Sequence, residues 1–290
     1  MSLCACLSWF VALLLSLGLA SCGNSSSSPP VTNSPSSSPP STSSTSLIWA
    51  TDASSIQNMQ AVDAQTTQLV LDQPGNYISG PALGWQATSV RAYASATAFM
   101  TDVTQGRIPV GTTTLLYDPE QWAATPLNEQ QQPSVFMAQF AQQAKAQGYS
   151  SIITPALNLM NVAGAECAAQ TGEAIEDAFI RCNIAGKAAV GDVVDIQWQR
   201  LESDPTRYAT YAATSAGQAR AVHSQVIFLT QLTTRTFTTQ ATPTTGCLMF
   251  AAYSAARTSV QGFWLHVDAG NGQIGVDFLK LVEGMTGGCM

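Results

Sequence analysis

Charge is scarce in this chain. Only 10% of its 290 residues are Asp, Glu, Lys or Arg, and 18 acidic residues outnumber 11 basic ones, for a formal net charge of −7. The sequence pI is near 4.6. A phosphate backbone needs a basic face, so this balance argues against nucleic acid as a partner. Histidine is rarer still, with His223 and His266 the whole supply. The cysteines show no CxxC spacing, so zinc lacks a sensible ligand set, and neither a metal nor another cofactor is implied. The Gly-x-Ser-x-Gly elbow of serine hydrolases is absent too, which disfavours a Ser-His-Asp mechanism.

Long apolar runs are equally wanting, with one exception. Leu7 to Ala20 is broken only by small polar residues. At about 14 residues it is short for a membrane span but has the length of a signal-peptide core. No Lys or Arg precedes it, and Leu19-Ala20-Ser21-Cys22 follows. That tetrapeptide resembles the bacterial lipobox. The resemblance implies a signal peptide over residues 1–21, a diacylglyceryl group on the Cys22 thiol, and a location in the cell envelope, lipid-anchored to a membrane and facing the periplasm or exterior. The alternatives are a secreted protein cleaved near Ala20 or a short buried helix. Residues 22–46 are nearly all Ser, Thr, Pro, Asn and Gly. Such a composition cannot bury a core, and its prolines keep it extended as a spacer. A globular domain over 47–290 remains.

Four cysteines fall in that domain: Cys167, Cys182, Cys247 and Cys289. An even number in an exported protein reads as two disulfides. Three connectivities are possible. Cys167–Cys182 with Cys247–Cys289 is favoured, because the first closes a short segment and the second clips the C-terminal tail onto the domain.

Short β-rich runs recur at Leu47–Ala50, Gln68–Leu71, Val90–Ala94, Thr113–Tyr117, Ser151–Thr154, Val193–Trp198, Val226–Gln231 and Phe263–Val267. Helix-like stretches lie between them, such as Ser134–Gln147, Gly172–Ala189, Thr206–Val222, Leu248–Thr258 and Ile274–Glu283. Eight strands alternating with helices predict an α/β fold, a (β/α)₈ barrel of the TIM type. The segment Gln73–Thr88, with three glycines and two prolines, reads as a loop. An open doubly wound sheet is the alternative.

Active sites of such barrels lie at the C-terminal ends of the strands. Asp52, Asp72, Asp118, Glu120, Glu202 and Asp268 all follow or end a predicted strand. The sharpest feature is Tyr117-Asp118-Pro119-Glu120-Gln121-Trp122 after the fourth strand. Side chains two apart on a strand share a face, so Asp118 and Glu120 are expected side by side. Close like charges raise one pKa, which yields an acid able to protonate a glycosidic oxygen near neutral pH. Tyr117 and Trp122 flank this pair as candidate sugar contacts. Asp195, Gln197 and Gln199 share a face of the sixth strand, Gln231 ends the seventh, and Trp264 with His266 lies on the eighth. Amides and tryptophans suit a neutral carbohydrate through bidentate hydrogen bonds and stacking.

The Asp118-x-Glu120, Asp195-Ile196-Gln197 and Trp264 stretches resemble the chitinase and hevamine-type glycoside hydrolases. That resemblance implies Glu120 as the acid, Asp118 as its helper, Gln197 as a ligand contact and Trp264 as the floor of the subsite. The chain departs from the family pattern at Thr113 and Leu116, where further aspartates are expected, and at Gln199 in place of a tyrosine. Three functions follow: a glycoside hydrolase, a carbohydrate-binding barrel without catalysis, and a structural or adhesion lipoprotein.

Overall fold

A computed structural model of the chain describes residues 47–81 and 83–289. The signal peptide, Cys22 and the spacer lie outside the described residues. Eight strands, β1 (Ile48–Asp52), β2 (Tyr77–Ser79), β3 (Thr88–Tyr93), β4 (Thr114–Tyr117), β5 (Ser150–Ile153), β6 (Val193–Ile196), β7 (Ile227–Thr233) and β8 (Gly262–His266), close into a parallel barrel in sequence order. The expected (β/α)₈ architecture is therefore present. Closure is made by β1 pairing with β8, Ala50 opposite Trp264. Gly262 permits that approach, since a Cβ there would collide with the Ile48 carbonyl.

Among the described residues nine α-helices surround the barrel: α1 (Ala53–Leu71), α2 (Ala96–Thr104), α3 (Leu127–Gln131), α4 (Pro133–Ala146), α5 (Ile175–Arg181), α6 (Ile184–Ala188), α7 (Pro205–Val222), α8 (Gly246–Ala256) and α9 (Gly272–Val282). The strands alternate as a two-residue period demands. Ala50, Val90, Leu116, Ile152, Val193, Leu229 and Trp264 fill the barrel interior. Their neighbours Trp49, Leu115, Tyr117, Ile153, Val194, Phe228, Phe263 and Leu265 belong to the outer core beneath the helices.

Three expectations need correction. Gln68–Leu71 is not a strand but the last turn of α1, whose buried Ile56, Met59, Thr66, Thr67, Val70 and Leu71 recur at helical spacing. Asp63 breaks the helical backbone midway, and its carboxylate restarts the helix by accepting from the Thr66 amide at 3.0 Å. The true second strand is the three-residue β2, inside the segment read as loop. Asn76 fixes it there: its side chain accepts from the Trp49 amide and donates to the carbonyls of Val70 and Leu71. The connection from β2 to β3 contains no helix among the described residues. Likewise Gly172–Ala189 is two short helices, broken where Asn183 adopts a left-handed φ of 53°.

Both favoured disulfides are present, Cys167–Cys182 and Cys247–Cys289. Gly270-x-Gly272-x-x-Gly275, which runs from the turn after β8 into the first turn of α9, has the spacing of a dinucleotide loop, which is a weak signal by itself. Here its second and third glycines serve packing. A Cβ on Gly272 would strike the Asn58 carbonyl, and one on Gly275 would press on Met59, so both bring α9 against α1.

Candidate functional site

The C-terminal mouth of the barrel holds a cavity of about 560 Å³. Its wall is the topmost layer of inward-pointing residues, continuing the parity of the interior core. Asp118 lies two residues beyond Leu116, Gln197 four beyond Val193, and Gln231 two beyond Leu229. All three line the cavity with Glu120, Trp122, Gln199 and Trp264. The same parity removes Tyr117. It is fully buried on the outer side of β4, where its hydroxyl donates to Glu129 at 2.8 Å. It does not reach the cavity, so its expected role as a sugar contact is withdrawn.

The Asp118-Pro119-Glu120 turn is held on both sides. The Asp118 amide continues the β3 pairing by donating to the Tyr93 carbonyl. The Glu120 amide donates to the Thr125 hydroxyl at 3.2 Å, and the Pro119 carbonyl accepts from the Ala156 amide. The two carboxylates are joined through one nitrogen. Gln197 Nε2 donates to Asp118 Oδ1 at 3.2 Å and to Glu120 Oε1 at 3.4 Å. Asn158 lies 3.5 Å from the other Glu120 oxygen. Beneath them Asp195 is fully buried, accepting from Thr154 Oγ1 at 2.9 Å and Gln231 Nε2 at 2.6 Å.

Among the described residues no Lys, Arg or His forms an ion pair with Asp118, Glu120 or Asp195. Desolvation, then the charges of Glu120 and Asp195, pushes the Asp118 carboxyl well above the usual carboxylate range. Burial likewise pushes Asp195 up to about 7, against the lowering effect of its Gln231 and Thr154 hydrogen bonds. Burial and like charge thereby favour the protonated form of the carboxyls at the base of the mouth.

The opposite side of the mouth is built differently. Asp52 caps α1 by accepting from the Ser55 amide at 2.8 Å. Its other oxygen meets His266 Nδ1 at 3.0 Å, and His266 Nε2 meets Asp268 at 3.1 Å. Arg235 completes the ladder by grasping Asp268. Burial opposes ionisation of Asp52, but the hydrogen bonds from His266, Ser54 and Ser55 prevail and hold it low. His266 is raised, first by Asp52.

The aromatic groups take two postures. Trp264 is nearly buried and floors the cavity, whereas Trp122 is 44% exposed. The Trp122 indole N–H is tied to Thr125 Oγ1 at 2.7 Å, which fixes the ring edge and leaves a face available for stacking. Phe237, Arg200, Arg235 and Asn158 also line the cavity. Asn158 and Arg200 stand in single 3-10 turns after β5 and β6, and Arg235 and Phe237 on the loop after β7; their approach depends on barrel closure, so no spacing in the sequence announced them. Two rim acids fall elsewhere. Asp72 ends α1 and accepts from the Gln86 amide, and Glu202 is fully buried and accepts from the Thr233 amide.

No family model matches the chain, and no curated protein matches it. Among solved structures it is similar to a candidate α-L-fucosidase from Bacteroides thetaiotaomicron, at 10% sequence identity and a TM-score of 0.41. The match covers 63% of this chain and 60% of that one. It carries no argument about function.

Proposed function

We propose that this protein is a glycoside hydrolase with Glu120 as proton donor and Asp118 as its partner. The observation that carries this reading is the pair of carboxylates sharing one amide at the barrel mouth, without a compensating cation and between two tryptophans. Glu120 faces the cavity, where it can protonate a departing glycosidic oxygen. Gln197 orients both acids, Trp264 supports the sugar from below, and Trp122, Gln199 and Gln231 supply further contacts. Every cation lining the cavity is already matched: Arg200 with Glu176, Arg235 with Asp268, and His266 with Asp52 and Asp268. This favours a neutral glycan over an anionic one.

The test is reducing-sugar release from a panel of neutral and acidic polysaccharides, with the product anomer followed by proton NMR to tell retention from inversion. Release from a neutral polymer supports the reading. Binding to a polymer without release would instead mark a carbohydrate-binding barrel, and neither binding nor release would favour a structural or adhesion role.

The lipobox resemblance and the Ser/Pro-rich spacer lead us to place this domain outside the cytoplasm, on a lipid at Cys22. Two disulfides, which persist in oxidising compartments, are consistent with that placement. Metabolic labelling with a fatty acid, lost in Cys22→Ala, tests it.

A further inference from the structure

Asp195 is a carboxylate for which the proposed chemistry has no use, yet it is built into the centre of the site. Strand β6 points it into the barrel, two residues below Gln197. It is fully buried. One oxygen takes both of its hydrogen bonds, from Thr154 and Gln231. The other, Oδ1, is buried and without a partner among the described residues. A buried carboxylate oxygen with no donor disfavours the ionised state, and it can carry a proton itself.

The surroundings offer no charge of opposite sign. The turn after β4 brings Asp118 and Glu120, the residue after β5 the Thr154 hydroxyl, and β7 the Gln231 amide. The segment after β6 brings Glu202, and α7 brings the phenol of Tyr208, on which Asp195 and Glu202 both act electrostatically. The one cationic side chain on the β8 face, His266, is held between Asp52 and Asp268. Gln197 joins Asp118 to Glu120, and two residues before it on the same strand Asp195 lies beneath the pair, tied to Gln231 and Thr154.

We infer that Asp195 is a positioning residue that governs the protonation of the Asp118–Glu120 pair from the floor of the barrel. It touches no substrate. When Asp195 is ionised, its charge strengthens the hold of the pair on its proton; when it is replaced by a neutral group, that proton leaves at lower pH. As applied to catalysis, the inference rests on the glycosidase reading.

The experiment is a carbon-detected NMR titration of side-chain carboxyls in the wild type and in Asp195→Asn, beside the pH profile of kcat/KM. In the wild type the Asp118 and Asp195 resonances are expected to share inflections, which requires no variant to fold. In Asp195→Asn the Asp118 midpoint is expected to fall by about one pH unit or more, with the alkaline limb of activity moving the same way. An unchanged Asp118 midpoint and limb, with only a uniform loss of rate, would overturn the inference and leave Asp195 structural. Shared inflections without hydrolysis of any glycan would uphold the coupling while removing the glycosidase reading.

Discussion

Two arcs of one rim use the same carboxylates to opposite ends. On the arc from β4 to β7, Asp118 and Asp195 meet only amides and hydroxyls, and both are pushed upward. On the arc from β7 through β8 to β1, Asp52 and Asp268 each meet a base, and both are pushed downward. Burial opposes ionisation in all four, and Asp118 and Asp195 lie deeper than Asp52 and Asp268. The hydrogen bonds of His266 and Arg235, with those of Ser54 and Ser55, overcome burial on the second arc. The first arc stores protons, which acid catalysis needs. The second stores fixed charge, which holds loops in place. Scarcity of charge in the whole chain makes the division sharper, because few cations are free to neutralise the first arc.

The comparison is broken most easily by equal substitutions on the two arcs. Asp118→Asn is expected to lower kcat/KM by about 100-fold, in the range of general acid–base effects, whereas Asp52→Asn lowers it by less than about tenfold. Comparable losses in steady-state assays would erase the distinction. Stability should respond in the reverse order. Asp52→Asn is expected to cost about 1–2 kcal/mol in denaturant unfolding near pH 6, because it removes a carboxylate from a partly buried ladder. The sign of the pH dependence follows from the shifts. Asp52, held low when folded, contributes above its unfolded pKa, and that contribution fades as pH falls through the folded value. His266, held high, contributes below its unfolded pKa, and that contribution fades as pH rises through its folded value. The wild-type advantage over Asp52→Asn should thus be greatest between roughly pH 4 and 6.5; a constant difference across pH would contradict the ladder. The smallest effect is expected for Arg235→Ala. This arginine is 55% exposed on its side chain, so its loss should cost under about 1 kcal/mol and shrink further in high salt.

How far the sequence discloses this arrangement depends on how local each feature is. The barrel is legible because most strands carry a dense apolar run followed by a helix with ordinary punctuation, such as Pro205 opening α7. Strand β2 is not, since three residues are too few to show a period and its place is fixed by Asn76 reaching β1 and α1. Asp118, Glu120 and Trp122 are contiguous and follow a strand, so their gathering could be read directly. Tyr117 could have been excluded on the same ground, because it stands one residue from Asp118 and must face the other way. The ladder on the opposite arc draws Asp52 from β1, His266 and Asp268 from the end of β8, and Arg235 from the loop after β7. Those segments meet only through closure of the barrel, over separations of up to 214 residues, and no local pattern encodes the meeting.

The central claim is that the arc whose acids have no cationic partner carries the chemistry through Glu120. Its most direct test is the hydrolysis rate of the wild type and Glu120→Gln on the neutral glycan the protein cleaves fastest, with glycan binding and thermal midpoint measured beside it. The account predicts a loss of about 100-fold or more in kcat, with binding and stability preserved. Full activity in Glu120→Gln would contradict it.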